Sequence, residues 1–279
     1  MTMQFQPKSV HQKDASFPVR HMAFDFHGVS RYFIDNEPVS SFMWLAFQAY
    51  FPEGEQFFVD AVRAVRDQAN DPQLKHEIGA FIGQEAMHGK EHLAANQELE
   101  RQGISISYLD GLARQARKHA NRHLSKRFRL ALTAAAEHFT GVIAHQIATR
   151  PDFRHSIVDE RLKALVLWHA MEETEHRAVA FDLYQHTGGG YLTRALAMTL
   201  VSAGIGPVVL YGMAYCLKQD DQLLNFASWR RFLSKYWGPR GFFTEAIPKL
   251  LSYYHPHFHP NSEDPDKLMV TFRRELGIK

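Results

Sequence analysis

The sequence predicts an all-α protein built on a bundle of four long helices, with an N-terminal arm and extra helices toward the C-terminus. From Val39 onward, apolar residues recur at alternating spacings of three and four, which is the period of an amphipathic helix. Proline and glycine punctuate these stretches. The residues before Val39 are rich in aromatic and β-branched types without helical spacing. We therefore expect residues 1–38 to form an arm that wraps the bundle and residues 39–279 to form one helical domain.

Helix-breaking residues place the four helices. We expect them at about residues 39–68, 72–101, 126–149 and 157–185. Pro52 lies inside the first helix and could kink or restart it. Gly103 follows the second helix, Pro151 interrupts the chain after the third, and three glycines from Gly188 end the fourth.

Composition restricts the class of function. A formal net charge of +2 over 279 residues, without a basic run that contains interleaved aromatics, argues against a nucleic-acid partner. The only cysteine is Cys216, so an intramolecular disulfide and a cysteine-built metal site are both excluded. Any metal must be held by nitrogen and oxygen. The first residues lack the apolar run of a secretory signal, and we expect a cytoplasmic protein.

One uncharged stretch, from Ala195 to Leu217, is long enough to span a bilayer. Small and polar residues, including Gly204, Gly206 and Pro207, dilute its hydrophobicity. A buried helix, a dimer face or the wall of an apolar tunnel would have the same composition. Membrane association is not favoured, and a homodimer through this helix is an alternative.

Carboxylates and imidazoles interrupt the apolar seams of the bundle. The seam of the second helix consists of Leu74, Ile78, Phe81, Glu85, His88, His92, Ala95 and Leu99. The seam of the fourth consists of Leu162, Val166, His169, Glu173, His176, Ala180 and Leu183. On the first helix Glu55 is in the core register, whereas Glu53 points elsewhere. Glu137 is the inward carboxylate of the third helix.

Four inward carboxylates need compensation, because an unpaired buried charge is very costly. No lysine or arginine lies in these seams, but two divalent cations would balance the four charges. Neutral imidazoles would complete the coordination without adding charge. The alternative to metal binding is a purely structural role, in which these residues form a buried network of salt bridges and hydrogen bonds.

The order of these residues is that of the ferritin-like di-iron carboxylate bundles. Those proteins place one Glu on each of two helices and a Glu-x-x-His on each of the other two. Glu85 with His88 and Glu173 with His176 form the pairs, on the second and fourth helices. Glu55 and Glu137 would be the single carboxylates. We expect all four Glu residues to act in catalysis as well as in metal binding.

His169 lies one turn before Glu173 and extends the motif to His-x-x-x-Glu-x-x-His. This motif resembles the last site helix of the di-iron arylamine N-oxygenases, in which a third histidine completes a seven-ligand site. By that resemblance His169 is a ligand. The expected metal ligands are Glu55, Glu85, His88, Glu137, His169, Glu173 and His176.

A broader resemblance covers about residues 22–260. It is carried by the runs FPEGE (51–55), FIGQEAMHGKEH (81–92), WHAMEETEH (168–176) and FHP (258–260). These runs resemble the bacterial family of predicted metal-dependent hydrolases. Some relatives in this broad group are implicated as di-iron monooxygenases in small-molecule biosynthesis. The resemblance therefore implies a metal-dependent enzyme of one of these two kinds.

Other polar residues have less specific interpretations. His92 shares the ligand seam, and we expect it to support a ligand or relay a proton, with direct ligation of a metal as the alternative. Glu172 and Glu175 point off the seam, which predicts solvation or pairing between helices. His138 and His145 lie seven apart, as on a partly exposed helix face. The histidine-rich run 255–259 is typical of an ordered C-terminal arm rather than of a chelating strand.

The expected function is that of a dinuclear metal enzyme, with iron as the expected metal and manganese or zinc as alternatives. It would activate dioxygen to hydroxylate or N-oxygenate a small organic substrate, with electrons from a reductase or ferredoxin. The alternative is a hydrolase of a phosphoryl or acyl ester, in which redox-inert ions activate a bridging water. A metal store or binding module is less favoured.

The substrate could be hydrophobic. Aromatic residues are concentrated on the first helix, and they either line a pocket or belong to the core. They are Phe42, Trp44, Phe47, Tyr50 and Phe51.

Overall fold

The computed structural model describes residues 8–10, 15–262 and 264–278. In these ranges a short antiparallel hairpin precedes a series of helices, so the predicted all-α fold is confirmed. The strands are β1 (Lys8–Val10) and β2 (Val19–His21). The helices are α1 (Pro38–Arg63), α2 (Pro72–Arg101), α3 (Ser107–His123), α4 (Lys126–Thr149), α5 (Pro151–Ser156), α6 (Glu160–His176), α7 (Val179–His186), α8 (Tyr191–Gln219), α9 (Phe226–Trp237), α10 (Phe242–Ser252) and α11 (Asp266–Leu276).

Four of these helices form the core bundle. Helix α1 packs against α2 and α4, and α6 packs against the same two helices from the other side. Helix α3 covers α1, α8 lies along α1 and α4, and α11 packs on α6. The four-helix core with additional C-terminal helices is therefore the architecture that the apolar seams predicted.

Local capping explains why α2 and α4 begin where the sequence predicted. The Asp71 carboxylate accepts a hydrogen bond from the Gln73 N–H, and Pro72 occupies the first helical position, where its missing N–H costs nothing. The Ser125 hydroxyl accepts from the Phe128 N–H at the start of α4. Each side chain satisfies a backbone donor that the helix itself leaves free.

Two helices differ from the expected ranges. Helix α1 continues through Pro52 without a break and ends earlier, at Arg63. The expected fourth helix is divided, because α6 ends at His176 and α7 begins at Val179. No proline or glycine marks this break, so it is decided by packing and not by residue type.

A polar layer divides the bundle into two apolar clusters. One cluster contains Val39, Leu99 and Leu162, together with neighbouring residues of α1, α2 and α6. The other contains Val62 and Phe81, with residues of α4 and α7. Along each core helix the carboxylates and imidazoles lie between the parts that belong to the two clusters. The polar layer is therefore shielded along the bundle axis in both directions.

The uncharged stretch lies within α8, which is the one described helix long and apolar enough to cross a membrane by length and composition. Its inward side packs on α1 and α4, with Met198, Met213 and Cys216 fully buried. Its outward side is exposed. The stretch is thus neither fully buried nor separate from the bundle.

The cap of α6 generates a prediction about stability. The Asp159 carboxylate accepts from the N–H groups of Arg161 and Leu162, and its second oxygen accepts from the Ser30 N–H of the arm. We expect Asp159→Ala to lower the free energy of unfolding by about 2 kcal/mol, because it removes a cap and leaves a partly buried donor unpaired. Asp71→Ala, at an exposed cap, is the matched control and should cost about 1 kcal/mol. Urea unfolding measures both.

The same carboxylate predicts a pH dependence. Burial opposes ionisation of Asp159, but hydrogen bonds from Arg161, Ser30 and Leu162 lower its pKa below the usual value. Its stabilising contribution is therefore complete above about pH 4, the unfolded value, and is lost as pH falls through the lower folded pKa. The difference in unfolding free energy between the wild type and Asp159→Asn should shrink over that range. A difference that does not change with pH would contradict this assignment.

Candidate metal centre

The seven expected ligands all lie in the polar layer of the bundle. None of them is more than 7% exposed. Helices α1 and α4 contribute Glu55 and Glu137, while α2 and α6 contribute the two Glu-x-x-His pairs. His169 lies one turn before Glu173 on α6. The structure thus brings together side chains that are up to 121 residues apart in the sequence, from Glu55 to His176.

The donor atoms divide into two ends. At one end the His176 Nε2 lies 3.1 Å from Glu85 Oε1 and 3.4 Å from Glu137 Oε2. At the other end the His169 Nε2 lies 2.9 Å from Glu173 Oε1 and 3.8 Å from Glu55 Oε1. Each end therefore combines imidazole nitrogen with carboxylate oxygen.

Glu85 and Glu173 lie between the two ends. Glu173 Oε1 is 3.5 Å from His176 Nε2 and 3.8 Å from His88 Nδ1. Glu85 Oε1 is 3.9 Å from His88 Nδ1 as well as being close to His176. The carboxylates of the two Glu-x-x-His pairs are therefore the ones able to reach both ends of the site.

Groups of three donors cluster closely enough to hold a metal ion. Within the described ranges there are four such groups, each with its donor atoms within 4.8 Å of one another. They are Glu85, Glu137 and His176; Glu55, Glu85 and His88; His88, His169 and Glu173; and Glu55, His92 and His169.

Unsatisfied polar atoms test whether these residues fit a metal. Both carboxylate oxygens of Glu55, Glu85 and Glu137 are buried without a hydrogen-bond donor. His88 Nδ1 and His176 Nε2 are likewise buried and unpaired. Buried polar atoms are nearly always hydrogen-bonded, so this concentration of free oxygen and nitrogen donors in one place fits a bound cation.

The electrostatics of the site also fit a cation. Burial and then the neighbouring carboxylates raise the pKa of Glu55 and Glu137 well above the usual value, and burial also raises the pKa of Glu85. The ionised forms of these carboxyl groups are disfavoured because like charges lie close together in a buried site. Divalent cations would remove that penalty by neutralising the charge where it lies.

The imidazoles respond in different ways. Burial and the nearby His169 lower the pKa of His88 well below the usual value, so its ring is neutral. Burial also disfavours charged His176, but Glu173, Glu137 and Glu85 raise its pKa well above the usual value. Burial likewise opposes ionisation of Glu173, yet His176 and His169 lower its pKa. Without a metal, Glu173 and His176 therefore form the charged pair of the layer.

Two histidines have their outer nitrogens held by buried partners. His88 Nε2 lies 3.1 Å from Glu172 Oε2, and His176 Nδ1 lies 2.8 Å from Gln84 Oε1. Because the carboxylate and amide oxygens are acceptors, each of these nitrogens carries the proton. When the rings are neutral, as metal binding requires, the lone pairs belong to His88 Nδ1 and His176 Nε2, which face the other donors. Such outer partners orient metal-ligating histidines.

A residue of the arm holds this outer network together. The Arg20 guanidinium pairs with Glu175 through two bonds of 2.7 Å and with Glu172 at 3.0 Å. Gln84 donates to Glu175 at 2.9 Å. Glu172 is fully buried, so the second of the two expected outcomes holds: both acids pair between helices, Glu172 with His88 and Glu175 with Gln84 of α2. Although Glu172 and Glu175 lie off the seam of α6, they are not exposed to solvent, because the arm covers that face of the helix.

His92 lies next to His169 at the other end of the site. Its Nε2 is 2.5 Å from His169 Nδ1, and burial, with His169, lowers its pKa well below the usual value. A neutral His92 can accept the proton on His169 Nδ1 while His169 Nε2 faces Glu173. The Phe51 ring packs against both imidazoles, with its centroid 4.8 Å from that of His92 and 5.0 Å from that of His169. Support of His169 by His92 remains a prediction.

The remaining histidines lie outside the donor groups. His138 is buried, its Nε2 donates to the Lys249 carbonyl at 3.0 Å, and its ring stacks on Tyr253, so the expectation of a partly exposed face is wrong for it. Helix α10 covers that side of α4, which seven-residue spacing could not reveal. His145 is half-buried. In the C-terminal run, His259 pairs with Asp182 at 2.8 Å.

A cavity of about 430 Å³ opens beside the donors. Glu55, His92, His169 and Glu173 form its polar floor. The rest of its wall is almost entirely apolar. Four of the five aromatic residues singled out on α1 contribute to it, as Trp44, Phe47, Tyr50 and Phe51, whereas Phe42 is buried in the core. Helix α8 closes one side.

Sequence reasoning missed three residues that support the site. They are Arg20, Gln84 and Thr140, whose hydroxyl donates to Glu173 Oε2. Gln84 directly precedes Glu85 and points to a different side of α2, so seam spacing could not identify it. Arg20 lies in the arm, for which no helical register exists. Only the position of Thr140, three residues after Glu137, gave a usable signal.

The outer network generates a prediction about metal affinity. Gln84→Met removes the acceptor for His176 Nδ1–H while keeping a similar side-chain volume. We expect metal affinity to fall by about 10- to 100-fold, as is typical when an outer partner of a metal-ligating histidine is lost. Competition between the protein and a chelator for Zn²⁺ measures this change. Gln73→Met, at an exposed position of the same helix, is the matched control and should bind as the wild type does. Equal affinity for both variants would contradict the role of Gln84.

Comparison with known proteins agrees with a metal site. No curated protein and no solved structure gives a significant match to the chain. The family described as "Predicted metal-dependent hydrolase" matches residues 18–264, which include all seven expected ligands. This range also includes Arg20, Gln84 and the cavity wall. The chain belongs to the predicted metal-dependent hydrolase family.

Proposed function

We propose that the protein is a dinuclear metal enzyme that acts on an apolar small molecule. Two ions would be held by the seven predicted ligands, with Glu137 and His176 at one end, and Glu55, His88 and His169 at the other. Glu85 and Glu173 would contribute oxygens to both ends, because these oxygens lie near the histidines of each. Four carboxylates then balance two divalent cations.

For the reaction at this site we favour dioxygen-dependent oxygenation. The observation that carries this proposal is the apolar cavity, to which Gln48, Tyr50 and Thr140 add the few polar groups besides those of the site itself. An apolar substrate can be held there by shape and burial alone. Two bound irons would supply the reduction of dioxygen and the transfer of oxygen, with electrons from an external reductase or ferredoxin.

The chain's own residues would position the substrate and protect the reaction. Phe51 covers His92 and His169 at the cavity floor. The apolar walls exclude water from the side on which Glu55 and Glu173 face the cavity. Thr140 holds one oxygen of Glu173, leaving the other toward the histidines. Nitrogen and oxygen donors of this kind suit iron or manganese.

Hydrolysis is the second candidate, and the family description favours it over oxygenation. In that reaction redox-inert ions would lower the pKa of a bound water and polarise a phosphoryl or acyl group. The same seven ligands would serve. The cavity then implies an ester with a large apolar part, because its wall provides few polar groups to bind a phosphate or sugar.

Elemental analysis tests the metal centre itself. Protein from iron-replete cells should contain about two metal ions per chain, as in other carboxylate-bridged helical bundles. The double variant Glu85→Ala, Glu173→Ala should lose them, because it removes both carboxylates that reach the two ends. Glu77→Ala with Glu160→Ala, on the same two helices but outside the site, is the matched control. Absence of stoichiometric metal from the wild type would contradict the proposal.

Oxygen reactivity separates the two reactions. The iron-loaded, reduced protein should change its visible absorption when mixed with dioxygen, and the double variant should not. Zinc- or manganese-loaded protein should then fail to hydrolyse esters with long acyl chains. Anaerobic hydrolysis of such esters, together with no spectral response to dioxygen, would instead establish the hydrolase. Stopped-flow absorption and a product assay measure these outcomes.

A further inference from the structure

Helix α8 exposes an uncharged apolar stripe along its outward side. The stripe consists of Leu192, Leu196, Thr199, Ala203, Pro207 and Leu210. Spacings of three and four place these residues on one side of the helix. Leu192 is 80% exposed, Leu196 52% and Leu210 56%. A contiguous apolar surface of this kind marks an interaction site more often than a solvated face.

The chain that follows α8 adds exposed apolar and basic residues. Leu224 and Phe226, just beyond its C-terminal end, are 74% and 76% exposed. Between residues 218 and 244 the sequence contains five basic residues and two acidic ones. Lys218, Arg230 and Arg240 are among the exposed basic residues. Apolar residues combined with an excess of positive charge suit an anionic lipid surface.

The stripe is continuous with the wall of the cavity. Leu200, Gly204 and Val208 line the cavity and are also exposed at the surface. Leu200 and Gly204 each lie one turn from a residue of the stripe, and Val208 directly follows Pro207. The edge of α8 therefore borders both the outside of the molecule and the space above the metal centre.

An apolar stripe could bind a second copy of the chain or a bilayer surface. Its continuity with the cavity favours the bilayer. A second copy packed along the stripe would cover the exposed edge of α8 beside the cavity. A bilayer surface would cover the same residues but would itself be a source of apolar molecules. Spanning is disfavoured because the inward side of α8 is packed on α1 and α4, with Met198 and Met213 fully buried.

We propose that the outward stripe of α8 docks on an anionic phospholipid bilayer, with the helix lying in the interface and not crossing it. Leu192, Leu196 and Leu210 would enter the boundary between headgroups and acyl chains, and the basic residues would contact anionic headgroups. Docking needs only this surface, so it is independent of the reaction. Delivery of an apolar substrate from the bilayer to the cavity is a consequence that rests on the proposed function.

Vesicle flotation tests docking. The full chain should float with vesicles of phosphatidylcholine and phosphatidylglycerol, less with phosphatidylcholine alone, and less as salt increases. Leu192→Glu with Leu196→Glu should lower the partition coefficient by about tenfold or more, since it places charge in the apolar contact. Neither residue lines the cavity, so metal content should not change. Leu93→Glu with Val270→Glu, at exposed aliphatic residues of α2 and α11, is the matched control.

Insertion of α8 can be measured without adding charge. Leu196→Trp retains an apolar side chain, and its fluorescence should be quenched by phospholipids with brominated acyl chains. Leu93→Trp should show no quenching beyond that of the wild type. This pair of variants reports contact with the acyl region even if the Glu variants fold poorly.

Three results would overturn the proposal. The first is no flotation of the wild type with either kind of vesicle. The second is equal flotation of the stripe variant and the wild type. The third is a stable dimer, measured by light scattering, that the stripe variant converts to a monomer, which would assign the surface to a second copy. Loss of metal reactivity with retained flotation would count against the proposed function alone.

Discussion

The burial of four carboxylates in a single layer is the constraint on which the rest of this structure depends. Glu55, Glu85, Glu137 and Glu173 come from four different helices and lie between two apolar clusters, where water cannot solvate them. Anions in such a place raise one another's pKa and cannot all remain charged without cations. The three imidazoles, the free oxygen atoms and the outer hydrogen bonds are all arranged around this layer. A core of this kind is consistent with metal as part of the folded protein rather than an addition to its surface.

The two sides of the metal centre differ in chemical character. Beside α6, the arm supplies Arg20, which fixes Glu172 and Glu175 and thereby the orientation of His88. Beside α1 and α4, the donors face an apolar cavity closed by α8. One side is filled by ion pairs and hydrogen bonds, and the other side is a cavity. The cavity is therefore on the side of His169 and Glu173 that α8 closes, opposite the side that the arm covers.

Much of the fold and the donor set could be predicted from the sequence. Helix boundaries were predictable where Pro72, Ser125 and the glycines from Gly188 act locally on the backbone. The donors were predictable because seam spacing reports which side chains face the core, and a carboxylate in a seam is an exception that needs an explanation. Both signals depend on residues within a few turns of one another. The same local logic assigned Glu53 away from the core, where it pairs with Arg114 and Arg117.

What the sequence by itself determined, then, is the set of helices and the inward placement of four Glu and three His. The tertiary structure decided everything that depends on contact between distant segments. It buried His138 beneath α10, broke the last core helix after His176, and placed Arg20 of the arm on Glu172. It also decided that α8 covers a cavity on one side while its other side is exposed. Helical periodicity specifies which face of a helix is apolar, but it carries no information about which neighbour covers the opposite face. That neighbour is chosen by packing over the whole chain.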